Sequence, residues 1–266
     1  VAHPYFDTTL PDGRRGVAAL AHRGFARPGG VDSGLENSLS AFDAAVQLGF
    51  RYVETDAHGT ADGVAVALHD ESLDRTTDAR GLVAELPWRQ VRRARIGGIE
   101  PVPSLQDVLG TWPGLFVNID VKAASGIAPI ADAIERTSAH ERVCVTSFST
   151  RRRLATLARL SRPAATSAGT TEVAGFVLAA RARVDAGARH ALRRVDALQV
   201  PRAQSGLTVV DRATVAAAHR AGRYVHVWTP NTRPEMEQLL DLGVDGIVTD
   251  RADLLKEILV ERDLWG

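Results

Sequence analysis

The sequence predicts an α/β fold: a TIM (β/α)8 barrel with a short hairpin excursion and a small inserted loop region after the second barrel strand. Three observations predict it. Short β-rich runs alternate with helix-like segments along the 266 residues, the order expected of parallel strands under a ring of helices. Eight such units need about 250 residues. Several strand candidates also end in charged clusters, and the C-terminal strand ends are where such a barrel keeps its chemistry.

The first strand candidate is the apolar run GVAALAH (16–22). ENSLSAFDAAVQLG (36–49) follows, with Leu39, Phe42, Ala45 and Val46 on one helical stripe and a stop at Gly49. RYVETDA (51–57) and VAVALH (64–69) are joined by TADG, too short for a helical crossover. This reads as a hairpin turn, with Gly63 supplying the positive φ. Centring the turn on Ala61–Asp62 places Glu54 opposite His69. Residues 70–104, including LDRTTDARG, form the longest irregular stretch, and loops of that length commonly make a lid or small subdomain. SLQDVL then opens a helix with Ser104 as N-cap.

LFVNIDV (115–121), RVCVTSF (142–148), AATSAG (164–169), DALQVP (196–201), YVHVWT (224–229) and DGIVTD (245–250) complete the strand candidates. DRATVAAAHRAG and RPEMEQLLDLG are helices with capped starts and glycine ends. Nine candidates for eight barrel places make 64–69 the excursion. Residues 1–266 read as a single domain, with 70–104 inserted in it.

Composition excludes several classes. Apolar residues are 45%, charged residues 24% and the formal net charge zero, so nothing favours capture of nucleic acid or of an anionic membrane. No apolar run approaches the ~20 residues of a spanning helix, and the first twenty residues lack a signal pattern. The expectation is a cytoplasmic protein without stable membrane insertion, although the start at Val1 leaves room for a removed leader. Cys144 is the single cysteine, a small core residue in VCV. Only Lys122 and Lys256 of the 32 basic residues are lysine, which draws attention to Lys122.

LAHRGF ends its strand at His22 and Arg23. YVETDAH sets Glu54 and Asp56 two apart, on one strand face. FVNIDVK does the same with Asn118, Asp120 and Lys122, and ALHD ends with His69 and Asp70. Each cluster alone has a plainer reading, as a polar turn or a solvated edge. Jointly they put charge on three strands whose flanking Val, Ile, Phe and Leu demand burial. Buried unpartnered carboxylates cost several kcal/mol, and a divalent cation is the economical partner for Glu54, Asp56 and Asp120. An all-oxygen donor set suits Mg²⁺ or Ca²⁺ rather than zinc. Arg23 and Lys122 fit an anionic phosphorus centre, while one imidazole takes a proton from the nucleophile and the other gives one to the leaving oxygen.

AHRGF, ENSLSAF, YVETDAHGTADGVAVALHD, LDRTT, VPSL, VNIDVK, VWTPN and GVDGIVTD, in this order over about residues 18–250, resemble the successive motifs of the glycerophosphodiester phosphodiesterase family. The resemblance implies a TIM barrel that hydrolyses small-molecule glycerophosphodiesters to glycerol 3-phosphate and an alcohol with a divalent cation. It makes His22 and His69 the acid–base pair, Glu54 and Asp56 metal ligands, and Arg23 and Lys122 phosphate ligands. Trp228 matches a tryptophan bordering the substrate pocket. Asp120 stands where the family usually has glutamate, one methylene shorter, which leaves space for a bridging water or a shifted ion. Leu35 before Glu36 and Pro230 after WT also depart from the pattern, away from the chemistry. Two alternatives share these residues: a phospholipase D-like enzyme acting on lysophospholipids or sphingomyelin, and a barrel that binds phosphodiesters without turning them over. His58 shares the carboxylates' face but lies outside the catalytic set. Asp62 belongs to the turn, and Asp70 orients its neighbours.

Overall fold

Every strand candidate contains a strand. The computed structural model describes residues 3–204 and 206–266. Apart from two two-residue antiparallel pairs, Arg95–Ile96 with Glu100–Pro101 and Ala203–Gln204 with Leu207–Thr208, the strands form one sheet, in chain order β1 (Ala18–His22), β2 (Tyr52–Gly59), β3 (Ala65–Ala67), β4 (Phe116–Val121), β5 (Val143–Thr146), β6 (Ala165–Thr166), β7 (Ala197–Pro201), β8 (Tyr224–Trp228) and β9 (Gly246–Thr249). All but β3 are parallel to their neighbours, in the order β6-β5-β4-β2-β1-β9-β8-β7. A single parallel bridge from Ser167 to Ala197 joins the two ends, so the sheet curls into the expected eight-stranded barrel.

Around it stand α1 (Leu39–Gln47), α2 (Trp88–Val91), α3 (Leu105–Thr111), α4 (Ile127–Arg136), α5 (Thr150–Leu157), α6 (Thr170–Arg181), α7 (Asp185–Ala191), α8 (Arg212–Arg220), α9 (Arg233–Asp241) and α10 (Ala252–Glu261). Their starts follow from side-chain capping, which satisfies amides that have no partner in the first turn. The Ser38 hydroxyl accepts from Ala41 N at 3.1 Å. Ser104 and Asp107 exchange bonds as a capping box, and Asp211 accepts from Thr214 N at 2.8 Å. Outward-facing strand residues such as Val53, Val117, Ile119 and Ile247 pack beneath Phe42, Leu109, Ile134 and Leu255 in one apolar layer. No described helix is long and apolar enough to cross a membrane.

Inside the barrel, Leu20, Tyr52, Cys144, Ala165, Ala197 and Val248 form a second, smaller core. The turn Pro4–Phe6 closes its lower end. Tyr5 is fully buried there, edge-on to Tyr52 and Phe116 with ring centroids 5.4 and 5.9 Å away. His3, given no chemistry by the sequence, accepts from Tyr5 N at 3.2 Å and shapes that turn.

The hairpin forms, with its register corrected. β3 pairs antiparallel with β2, with Ala57 opposite Ala67 and Gly59 opposite Ala65. The turn therefore centres on Asp62, and His69 does not fall opposite Glu54. The reason is a loop one residue longer than the two-residue turn expected. Thr60 N donates to Val64 O and Thr60 Oγ1 accepts from Val64 N, both at 2.9 Å, while Gly63 takes φ +82°. Beyond β3, Leu73, Val83, Val91, Ala94, Ile96 and Val102 pack on Val66 and Leu68, so the insertion has an apolar core of its own. Gly59 lets the start of α4 and the turn before it close on the barrel: a Cβ there would lie 2.0 Å from Ser125 O.

Candidate active site

Strand pleating sends Tyr52, Glu54, Asp56 and His58 to the barrel interior, deepest first. β4 pairs in register beside it, Glu54 opposite Asn118 and Asp56 opposite Asp120. Three carboxylates thus converge with little water: Glu54, Asp56 and Asp120 are 7, 3 and 8% exposed. Burial, then the charge of Asp56, pushes the Glu54 carboxyl up. Burial likewise raises Asp120 to about 6. Burial alone would raise Asp56 too, but Lys122 and Arg23 outweigh it and hold that carboxyl below its ordinary value.

Lys122 Nζ lies 3.2 Å from Asp56 Oδ1 and 3.4 Å from Asp120 Oδ2. Arg23 Nε lies 3.1 Å from Asp56 Oδ2, yet off the hydrogen-bond line, so this contact is Coulombic attraction only. The Arg23 backbone takes φ +53°, uncommon for a residue with a side chain. That turn aims its amide at Glu54 Oε2, 3.2 Å away. Gly24 follows at φ +79°, where a Cβ would strike the Ala41 backbone at 2.7 Å.

Both histidines are held at Nδ1. His22 Nδ1 is 2.6 Å from Asp250 Oδ1, and Asn231 donates to the other Asp250 oxygen at 2.8 Å. Burial would lower the His22 pKa, but Glu54 and the Asp250 hydrogen bond outweigh it and raise it. His69 Nδ1 is 2.6 Å from Asp70 Oδ1, and Arg75 clamps both Asp70 oxygens at 2.5 and 3.0 Å. Fixing Nδ1 leaves Nε2 as the nitrogen each ring can offer a ligand. His22 Nε2 lies 3.7 Å from Glu54 Oε2.

All eight residues singled out in the sequence (His22, Arg23, Glu54, Asp56, His69, Asp120, Lys122 and Trp228) line one cavity of about 700 Å³. His69 thus reaches the site by the bend after β3, not by strand pairing. His58 stays outside the cavity, its Nε2 3.1 Å from the His69 carbonyl oxygen, and Asp62 holds the turn by accepting from Trp88 N at 2.7 Å. Three acidic or amide partners were missed. Asp250 follows the last strand, so the strand-end rule could have found it. Glu36 accepts from Arg23 at 3.2 Å and from Arg75 at 2.6 Å. Asn37, fully buried at φ +61°, accepts from Thr55 Oγ1 at 2.7 Å with its amide 3.4 Å from Asp56.

Cation binding has one direct geometric correlate. Asp120 Oδ1 is buried without a hydrogen-bond partner among the described residues, beside carboxylates that burial destabilises. An oxygen-rich, electron-dense pocket of this kind fits a hard divalent cation. The three carboxylates are not drawn into a closed set: among the described residues no three His, Cys, Asp or Glu side chains stand in metal-holding geometry. Lys122 and Arg23 lie against them instead.

Fold and site together define an α/β-barrel enzyme with paired histidines and buried carboxylates at one strand end. The chain belongs to the glycerophosphoryl diester phosphodiesterase family, whose model matches residues 22–254. It is 44% identical over 253 residues, 94% of this chain and 93% of the other, to a Mycobacterium tuberculosis protein named probable glycerophosphodiester phosphodiesterase 2. Two solved structures share the fold. An Agrobacterium tumefaciens glycerophosphodiester phosphodiesterase matches with a TM-score of 0.69 and 23% identity, over 90% of this chain and 99% of that one. An Oleispira antarctica phosphodiesterase in complex with its product sn-glycerol-3-phosphate matches with 0.72 and 21%, over 92% and 97%.

Proposed function

We propose that the protein, acting as one barrel domain, hydrolyses glycerophosphodiesters to glycerol 3-phosphate and an alcohol, with a divalent cation, Mg²⁺ or Ca²⁺. His22 and His69 move the protons. The observation that carries this is the pair of histidines on one cavity, each fixed at Nδ1 by its own carboxylate. A site that only binds a diester needs no second oriented proton carrier.

A phosphodiester resists attack because its charge repels nucleophiles. Arg23 and Lys122 would neutralise that charge, Lys122 exchanging a carboxylate contact for a phosphate oxygen. Glu54, Asp56 and Asp120 would hold the cation, which when bound supplies further neutralisation of charge building on the phosphoryl oxygens. One imidazole takes the proton of the attacking hydroxyl or water at Nε2, and the other returns a proton to the leaving alcohol oxygen. Asp250 and Asp70 keep both rings in the required tautomer and stabilise the imidazolium. Trp228 borders the space beside the phosphate.

Relatives carry this activity in their names, the nearest of those cited at 44% identity. The direct test is turnover of glycerophosphocholine, glycerophosphoethanolamine and glycerophosphoglycerol, with glycerol 3-phosphate measured by a coupled dehydrogenase. Activity is expected in the native protein and a loss of at least ~10²-fold in His22→Ala and in His69→Ala. Activity surviving both changes rejects the proton-transfer roles.

A further inference from the structure

We propose that Asn118 and Gln199 read the terminal hydroxyl of the glycerol group, so that the diester enters glycerol end first with its leaving alcohol at the open end. The proposal rests on the phosphodiesterase reading and names the residues that decide which end of the substrate goes down. Both residues line the cavity. Asn118 stands two residues before Asp120 on β4, opposite Glu54 and one step deeper in the barrel, and is 4% exposed. Gln199 comes from β7, which is not a neighbour of β4. Its Nε2 donates to Asn118 Oδ1 at 2.8 Å, a bond that crosses the barrel interior and makes the two amides one floor.

Both amides are fixed from behind. Gln199 Nε2 lies 3.4 Å from His226 Nδ1 as well. His226 is 1% exposed, and burial holds its pKa down at about 4, so the ring is neutral and its Nδ1 accepts. Gly246 on β9 makes room for that ring, since a Cβ there would lie 2.6 Å from His226 Cδ2. Phe6 of the N-terminal turn packs against it with ring centroids 5.7 Å apart. Both Gln199 amide hydrogens are therefore engaged. Oε1 is left open to a ligand, with the Ser167 hydroxyl at 3.5 Å. Asn118 Oδ1 is engaged by Gln199, and Asn118 Nδ2 makes no hydrogen bond among the described residues.

One open donor and one open acceptor, both uncharged, match a hydroxyl, which accepts and donates at once. A phosphate oxygen could use the donor but not the acceptor. A quaternary ammonium or a methyl group would leave both amides unpaired, a costly state for buried polar groups. Depth selects which hydroxyl is read. With the phosphate against Arg23 and Lys122, the secondary hydroxyl of glycerol stays near the carboxylates and histidines. The terminal hydroxyl is the group furthest from phosphorus on that side, and it reaches the floor.

The test compares glycerophosphocholine with the phosphocholine diester of 1,2-propanediol esterified at its primary oxygen, with Mg²⁺ or Ca²⁺ supplied, by choline release. The second diester keeps the secondary hydroxyl and lacks only the terminal one. Native kcat/KM should be about 10- to 100-fold lower on it. In Asn118→Leu and, separately, in Gln199→Met, that ratio should shrink to within about threefold of one. A native protein that turns over glycerophosphocholine and treats the two diesters within about threefold of each other overturns the pair and leaves the phosphodiesterase reading standing. Folded variants that lose activity equally on both diesters, with the ratio unchanged, overturn it too, since the amides would then only support the barrel. If no diester is turned over, calorimetric binding of sn-glycerol 3-phosphate and of 1,2-propanediol 1-phosphate still reads the floor. Binding of glycerol 3-phosphate about tenfold tighter or more, with the difference lost in Gln199→Met, supports the pair, and equal affinities reject it.

Discussion

Asp250→Asn isolates one contact of the proposed chemistry. Asp250 presents Oδ1 to His22 Nδ1 at 2.6 Å and Oδ2 to the Asn231 amide at 2.8 Å, so both oxygens accept. An amide keeps the shape but has one acceptor and one donor. Either Asn231 or His22 then faces a donor, or the His22 ring switches tautomer. A hydrogen bond to a charged group is worth ~1.5–3 kcal/mol. The Asp250 side chain is 20% exposed, which discounts the upper end and leaves a loss of roughly 10- to 50-fold in kcat/KM. KM should stay within about threefold, because Asp250 does not line the substrate cavity. Steady-state kinetics on glycerophosphocholine, with a melting curve to exclude unfolding, read the effect. Because Asp250 acts only through His22, adding Asp250→Asn to His22→Ala should cost almost nothing more. A folded Asp250→Asn protein within threefold of native activity, or fully additive losses in the double variant, would refute the positioning role.

Gly59→Ala should cost ~4 kcal/mol or more, or prevent folding, since the new methyl group meets the Ser125 backbone at 2.0 Å; a denaturant midpoint near native would show that α4 shifts freely. Glu135, whose carboxyl is held at about 2 by Ser161 N, His140 and the Ser161 hydroxyl, has a folded pKa below its ordinary 4.5. Its stabilisation is therefore present above pH 4.5 and lost as pH falls through about 2. The Tm difference between native protein and Glu135→Gln should shrink across that window, and a constant difference would contradict it. Adding Mg²⁺ or Ca²⁺ to chelator-treated protein at 100 times its Kd should stabilise the fold by ~2.7 kcal/mol. Asp120→Asn should weaken that binding in the same thermal assay, and no shift with either ion would remove the cation from the account.

Much of the barrel is legible because its strands bury both faces. AALAH, FVNIDV and GIVT are short, mostly apolar runs with sharp ends, and charge appears where the barrel opens. The hairpin register is not legible to one residue, because the three-residue loop is held by the Thr60 hydroxyl, which accepts from Val64 N and donates to Asp62 Oδ1. Helices such as α5 and α6 are hard to read for another reason. Their Ala- and Arg-rich faces bury little, Arg153 and Thr156 in α5 and Phe176 and Ala180 in α6, so no strong stripe marks them. Glu54, Asp56, Asp120 and Lys122 are conspicuous as charges among apolar neighbours. Asp250, Glu36 and Asn37 are not, since each sits in a loop where polar residues are ordinary, and only the folded chain brings them to His22, Arg23 and Asp56.

Turnover of glycerophosphocholine in ¹⁸O-water tests the central claim most directly. The account predicts sn-glycerol 3-phosphate carrying one ¹⁸O, unlabelled choline, and loss of both products in His22→Ala and His69→Ala. Phosphocholine with free glycerol, label in the choline, or no turnover by the native protein with Mg²⁺ or Ca²⁺ supplied would contradict it.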